Sequence, residues 1–186
     1  MIKNIYKHFK KKPIEYLIGD ATQPISDKTN IIVHICNDVG GWGMGFVLAI
    51  SRKWKKPEEI YRKWYREKNL ENSSDLKFIK LSKDDSSYKE FKLGNVQFVK
   101  IDENLWIANM IAQRGIGTKN GVKPIRYEYV SECLDRVRVF AEKIDASIHM
   151  PRIGCGLAGG EWSEIEKIVN NSLIAHKIET KVYDLK

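Results

Sequence analysis

Cysteine is scarce in this 186-residue chain: Cys36, Cys133 and Cys155 are odd in number and far apart. That pattern excludes a disulfide scaffold and the paired spacing of a zinc ribbon, so reduced thiols are expected. Long apolar runs are missing as well. Charged residues make up 30% of the chain and no segment approaches the span of a bilayer. The first thirteen residues carry charges throughout, which excludes a signal peptide. A cytoplasmic monomer with no membrane partner is expected. There is no internal repeat, low-complexity tract or linker, so the organisation expected is a basic extension over residues 1–13 and a single domain over residues 14–186. Acidic residues are outnumbered, 24 against 32 Lys and Arg, for a net charge of +8 that favours an anionic partner.

What is present is core material: 42% hydrophobic residues, with five Trp, eight Tyr and six Phe. Six apolar runs have strand length: residues 14–18, 31–36, 96–101, 105–112, 146–150 and 181–185. Several lack strict alternation, as strands covered on both faces do. Between them, Tyr127, Val130, Leu134, Val137, Ala141 and Ile144 recur at helical spacing, as do Ile165, Ile168, Val169 and Ser172. Ser163 and Glu166 have the spacing of a capping box, although a start nearer Trp162 also fits. Two further helices are expected, one opening near Met44 and one at Pro57, and residues 69–90 read as a polar surface excursion. The alternation predicts an α/β fold of three layers with a mixed, mostly parallel sheet and a ligand crevice beyond the carboxyl ends of its strands.

Two glycine-rich segments stand where such a crevice would be. Asn37-Asp-Val-Gly-Gly-Trp-Gly-Met-Gly-Phe46 leaves a strand and enters a helix, and so does Pro151-Arg-Ile-Gly-Cys-Gly-Leu-Ala-Gly-Gly-Glu-Trp162. A strand, glycines and a helix N-terminus form an anion site, because unpaired N–H groups point outward and no Cβ holds a phosphate away. The first loop lacks the Gly-Lys-Ser/Thr of a P-loop, and its Gly-x-Gly-x-Gly spacing departs from the dinucleotide fingerprint. Asp20, in Gly19-Asp20-Ala21, is either a turn residue or an acceptor for an exocyclic amine.

Gly19-Asp20-Ala21-Thr22, the strand and loop from Ile31 to Phe46, and Met150 to Trp162 together resemble the macro domain family, in this order and at about this spacing. The resemblance covers nearly the whole chain. It implies a three-layer α/β/α domain with an ADP-ribose cleft. Asp20 and the Ala21 N–H would receive the adenine, and Asn37 would face the distal ribose. Gly41, Trp42, Gly43, Met44, Gly45 and Phe46 would wrap that ribose and one phosphate. Gly154, Cys155, Gly156, Leu157, Ala158 and Gly159 would hold the pyrophosphate. Tyr183 would flank the adenine or pack in the core.

The second loop is similar to the branch that removes ADP-ribose from acidic side chains by a lysine and an aspartate. At those positions this chain has Gln113-Arg114-Gly115 and Ala158, which supply neither group. The stretch from Val33 to Gly45 is also similar to the branch that hydrolyses ADP-ribose 1″-phosphate. There Asn37 would position the ribose, and Asp38 or His34 would activate water. His34 equally fits a core histidine, and Asp38 a loop brace. Cys155 has no base beside it, and His34 with Cys36 lacks a second ligand pair, so no metal and no cofactor are expected. The function expected is binding of ADP-ribose or an ADP-ribosylated substrate, with hydrolysis at the distal ribose. A non-catalytic reader is the alternative, as is a nucleic-acid or poly(ADP-ribose) binder working through the basic stretch from Arg52 to Lys68.

Overall fold

The computed structural model describes residues 12–185; Lys7, Lys10 and Lys11 of the basic extension lie outside them. Each of the six apolar runs forms a strand: β1 (Glu15–Ile18), β2 (Thr29–Asn37), β4 (Val96–Asp102), β5 (Leu105–Gln113), β6 (Ala146–Pro151) and β7 (Thr180–Asp184). A two-residue strand inside the polar excursion, β3 (Leu76–Lys77), makes a seventh. The order across the sheet is β1-β7-β6-β2-β5-β4-β3. The first five run parallel, and β4 and β3 close the sheet antiparallel.

The absence of alternation in β2 has its cause here. Ile31 and Val33 join the core on one face of the sheet, while Ile32 and Cys36 join the core on the other. Helices α3 (Tyr127–Ile144) and α4 (Trp162–Ser172) cover the first face with Val130, Leu134, Val137, Ile165 and Val169. Helices α1 (Phe46–Lys53) and α2 (Lys56–Glu67) cover the second with Val47, Ile50, Tyr61 and Trp64. Each fully buried side chain of this kind stabilises the fold by roughly 1.5–3 kcal/mol relative to exposure. Three layers follow, with a mixed and mostly parallel sheet in the middle.

The excursion departs from its surface reading. Leu70 and Phe78 are buried, and Trp64 Nε1 donates to Lys89 O at 2.7 Å. Arg136, 2% exposed, donates to Gly94 O, Ile79 O, Asp85 Oδ2 and Glu132 Oε1 at 2.6–3.0 Å, and so fastens the excursion to α3. The capping box does not form. Glu161 precedes α4 without a side-chain cap, and Glu166 instead receives the Tyr16 hydroxyl.

Candidate functional site

The two glycine loops leave β2 and β6, which are hydrogen-bonded neighbours, so both open at one end of the sheet. They face each other closely enough that a Cβ on Gly45 would lie 3.6 Å from Leu157 Cδ1. Gly45 caps α1 at φ 79°, a left-handed conformation that other residues adopt at a cost. It supplies no side-chain cap, and α1 has no acidic residue in its first turn. Among the described residues no acceptor pairs the N–H groups of Gly43, Met44, Gly45 and Phe46, or those of Gly156, Leu157 and Ala158. Seven unpaired donors therefore lie on two loops that open at one end of the sheet, one set of them at the positive end of a helix dipole. A Cβ on Gly43 or Gly156 would meet nothing within 4 Å, so their faces are open. Gly154 and Gly159 also brace the second loop, through Gly160 N–H to Gly154 O at 2.7 Å and Gly159 N–H to Gly156 O at 2.9 Å. Met44, Leu157 and Ile116, on or against the glycine loops, stand exposed.

Asp20 follows β1 at the same end of the sheet. Its Oδ1 accepts from the Thr22 N–H and hydroxyl, both at 2.8 Å. Partial burial pushes its pKa up, but the two Thr22 bonds and the Lys53 ammonium outweigh that and hold the carboxyl below its ordinary value. The result is an ionised acceptor beside the buried Ala21. Tyr183 lies under Gly19, 3% exposed; its hydroxyl bonds His149 Nδ1 at 2.8 Å and accepts the Ile25 N–H at 3.2 Å. It is a core residue in this structure.

The candidates for chemistry part company. His34 is on the α1–α2 face, 2% exposed, with Nε2 at 2.6 Å from Asn109 Oδ1 and its ring edge-on to Trp42. Burial lowers its pKa to about 4, against the upward pull of Asn109, so the ring is neutral and Nε2 is the donor. Asn37 spends its carboxamide mainly on its own loop: Nδ2 donates to Gly41 O at 2.8 Å, and Oδ1 accepts from Val39, Gly41 and, at 3.2 Å, the Tyr61 hydroxyl. Asp38 Oδ1 accepts the Gly115 N–H at 2.7 Å, and no donor is bonded to Oδ2 among the described residues. Burial raises the Cys155 thiol, partly offset by Arg152, which makes a poor nucleophile at neutral pH.

The family resemblance brings Gln113-Arg114-Gly115 to the cleft, but the sequence offered no sign that Ile116 forms a third wall. The loop after β5 lays Ile116 on the first glycine loop, where a Cβ on Gly41 would come within 2.7 Å of Ile116 Cδ1. The same loop carries Arg114. These residues meet only because β5 pairs with β2. In the basic stretch, Tyr61 and Trp64 are wholly buried and closed to base stacking; Arg62 pairs with Glu58, and Lys56 with Asp75.

No family model matches the chain. A solved structure of a Bacteroides thetaiotaomicron protein of unknown function is 49% identical, covering 92% of this chain and 98% of that one with a TM-score of 0.79. Thermosipho africanus DarTG in complex with ADP-ribose shares the fold at 18% identity, with 86% of this chain and 39% of that one covered and a TM-score of 0.54. Among curated proteins, the chromodomain-helicase-DNA-binding protein 1-like of Danio rerio is 28% identical over 91% of this chain, which spans 15% of that protein's length. The ADP-ribose 1″-phosphate phosphatase of Saccharomyces cerevisiae is 22% identical, covering 84% of this chain and 90% of that protein. A macrodomain protein from Streptomyces coelicolor is 43% identical, covering 92% of this chain and 98% of that one with a TM-score of 0.72. On that last likeness, which spans both chains almost end to end, this chain belongs to the macrodomain family.

Proposed function

We propose that the crevice between the glycine loops binds ADP-ribose, and that the protein hydrolyses ADP-ribose 1″-phosphate or an ADP-ribosyl ester at the distal ribose. The observation that carries the reading is the set of seven unpaired N–H groups on neighbouring strand ends, which suits a pyrophosphate held from two sides. Asp20, ionised at the far end of the crevice, suits the adenine amine. The fold shared with ADP-ribose-bound DarTG and the likeness to the yeast phosphatase support the choice of nucleotide.

For the hydrolytic step, the free Oδ2 of Asp38 is the best-placed base. Water attacks C1″ and forms the new C–O bond as its proton passes to Asp38. The bond to the phosphate or carboxylate oxygen breaks, and that oxygen leaves with the electron pair. Asn37 acts through the loop it holds in shape, and His34 as a core support. Their commitment to those bonds favours the second reading, a domain that reads ADP-ribose without turnover.

Calorimetric titration with ADP-ribose, followed by incubation with ADP-ribose 1″-phosphate and with glutamate-linked ADP-ribosyl protein, separates the two. Asp38→Asn keeps an acceptor for the Gly115 N–H while removing the base. It is expected to retain ADP-ribose binding and to lower turnover by about 10²–10⁴-fold. Binding with no turnover by the native protein makes it a reader, and absence of binding removes the crevice assignment.

A further inference from the structure

β2 lies between β6 and β5 in the sheet, so its carboxyl end has two flanks. The glycine-loop crevice occupies the β6 flank. On the β5 flank is a separate cavity of about 420 Å³, lined by Asp38, Phe91, Lys92, Leu93, Arg114, Tyr129 and Glu132. Asp38, which lines this cavity, directly follows Asn37 at the start of the first glycine loop. Phe91 to Leu93 reach the cavity because the excursion returns there, with the Phe91 N–H on Lys68 O at 2.7 Å.

Three of the four charged side chains lining the cavity each have a partner, although Asp38 keeps its unbonded Oδ2. Asp38 Oδ1 accepts from Gly115, Glu132 Oε1 is paired with Arg136, and the Lys92 ammonium is bonded to the Ser87 hydroxyl. The Arg114 guanidinium and the Tyr129 hydroxyl have no partner among the described residues. What remains without a partner is the guanidinium fork of Arg114 and the Tyr129 hydroxyl, with the second oxygen of Asp38, in a volume suited to a ligand fragment.

We propose that this cavity receives the group attached to the distal ribose, and that Arg114 there pairs with an oxyanion, phosphate or carboxylate, carried by that group. The inference rests on the ADP-ribose reading, which brings the distal ribose to Asn37 and its substituent toward Asp38. Arg114 is a specificity residue, outside the contacts that hold the nucleotide.

The test compares the native protein with Arg114→Gln and Tyr129→Phe on four probes: ADP-ribose, ADP-ribose 1″-phosphate, an ADP-ribosylated peptide with acidic flanks, and its counterpart with neutral flanks. Affinity is read by competition against a fluorescent ADP-ribose, or kcat/KM where a probe is turned over. Arg114→Gln is expected to leave ADP-ribose within twofold of native. It should weaken at least one anionic probe about tenfold or more, with that probe's salt sensitivity reduced. Loss confined to the 1″-phosphate assigns the site to phosphate, and loss confined to the acidic peptide assigns it to a carboxylate. Equal effects on all four probes, or none on any, overturn the inference while leaving the nucleotide site intact. If the native protein binds no ADP-ribose, both readings fall.

Discussion

Gly43 and Gly156 face open space at ordinary backbone angles, so a Cβ there meets no protein atom and, on the proposed reading, only the ligand. Gly43→Val or Gly156→Val is therefore expected to cut ADP-ribose affinity by about 100-fold, the equivalent of roughly 2.7 kcal/mol, with Tm nearly unchanged. Calorimetry and a thermal melt on the same sample check both halves. Gly45→Val differs, since its positive φ adds a folding cost that the melt would register. A second residue-scale expectation concerns pH. His34 and His149 are held at about 4, chiefly by burial, against an ordinary 6.5. Their folded pKa values are depressed, so the unfolded chain binds more protons. The stability they preserve is whole above pH 6.5 and is lost as pH falls through about 4, on the order of 3 kcal/mol for each. Denaturant midpoints recorded between pH 7 and pH 4 should fall most steeply in that window. His34→Gln should flatten the slope; an unchanged slope would show that other groups control it.

At the scale of elements, the polar segment between α2 and β4 is held by one buried guanidinium. Arg136→Ala strands Asp85 and frees the carbonyls of Ile79 and Gly94, so a loss of about 3–5 kcal/mol is expected, read from urea unfolding. Proteolytic cleavage within residues 79–90 should appear before global unfolding. The same elements show how far the sequence could be read. Five of the six long strands and the four helices were legible because each buries a run or stripe of apolar side chains whose period is local; β1 was legible as an apolar run although most of it stays exposed. β3 was not, because two residues carry no period and Leu76 is placed only by pairing with Val99. The capping box failed for a related reason: Glu166 found a partner in Tyr16, 150 residues away.

For the whole molecule, a ligand that binds only the folded state must stabilise it. ADP-ribose at a hundred times its Kd is expected to add about 2.7 kcal/mol, or roughly 5–10 °C in Tm for a domain of this size. A poly-anion without ADP-ribose should give no comparable shift at physiological salt, since Tyr61 and Trp64 are closed to stacking and leave only the half-buried Trp54 and Tyr65 in the basic stretch. A shift with RNA equal to that with ADP-ribose would reverse the ranking of the two partners.

The sequence by itself determined the layers, the strand and helix positions and the two glycine loops. Glycine, β-branching and apolar period act within a few residues and leave their mark in the order of letters. The tertiary structure alone decided which side chains share the site. It sent His34 into the core with Asn109, turned Asn37 onto its own loop, and left Asp38 an uncommitted oxygen. It also brought Arg114, Tyr129 and the end of the excursion to one cavity with Asp38. Those outcomes depend on which strands become neighbours and which face each residue turns to. Pairing between segments tens of residues apart fixes both, and no local pattern encodes it.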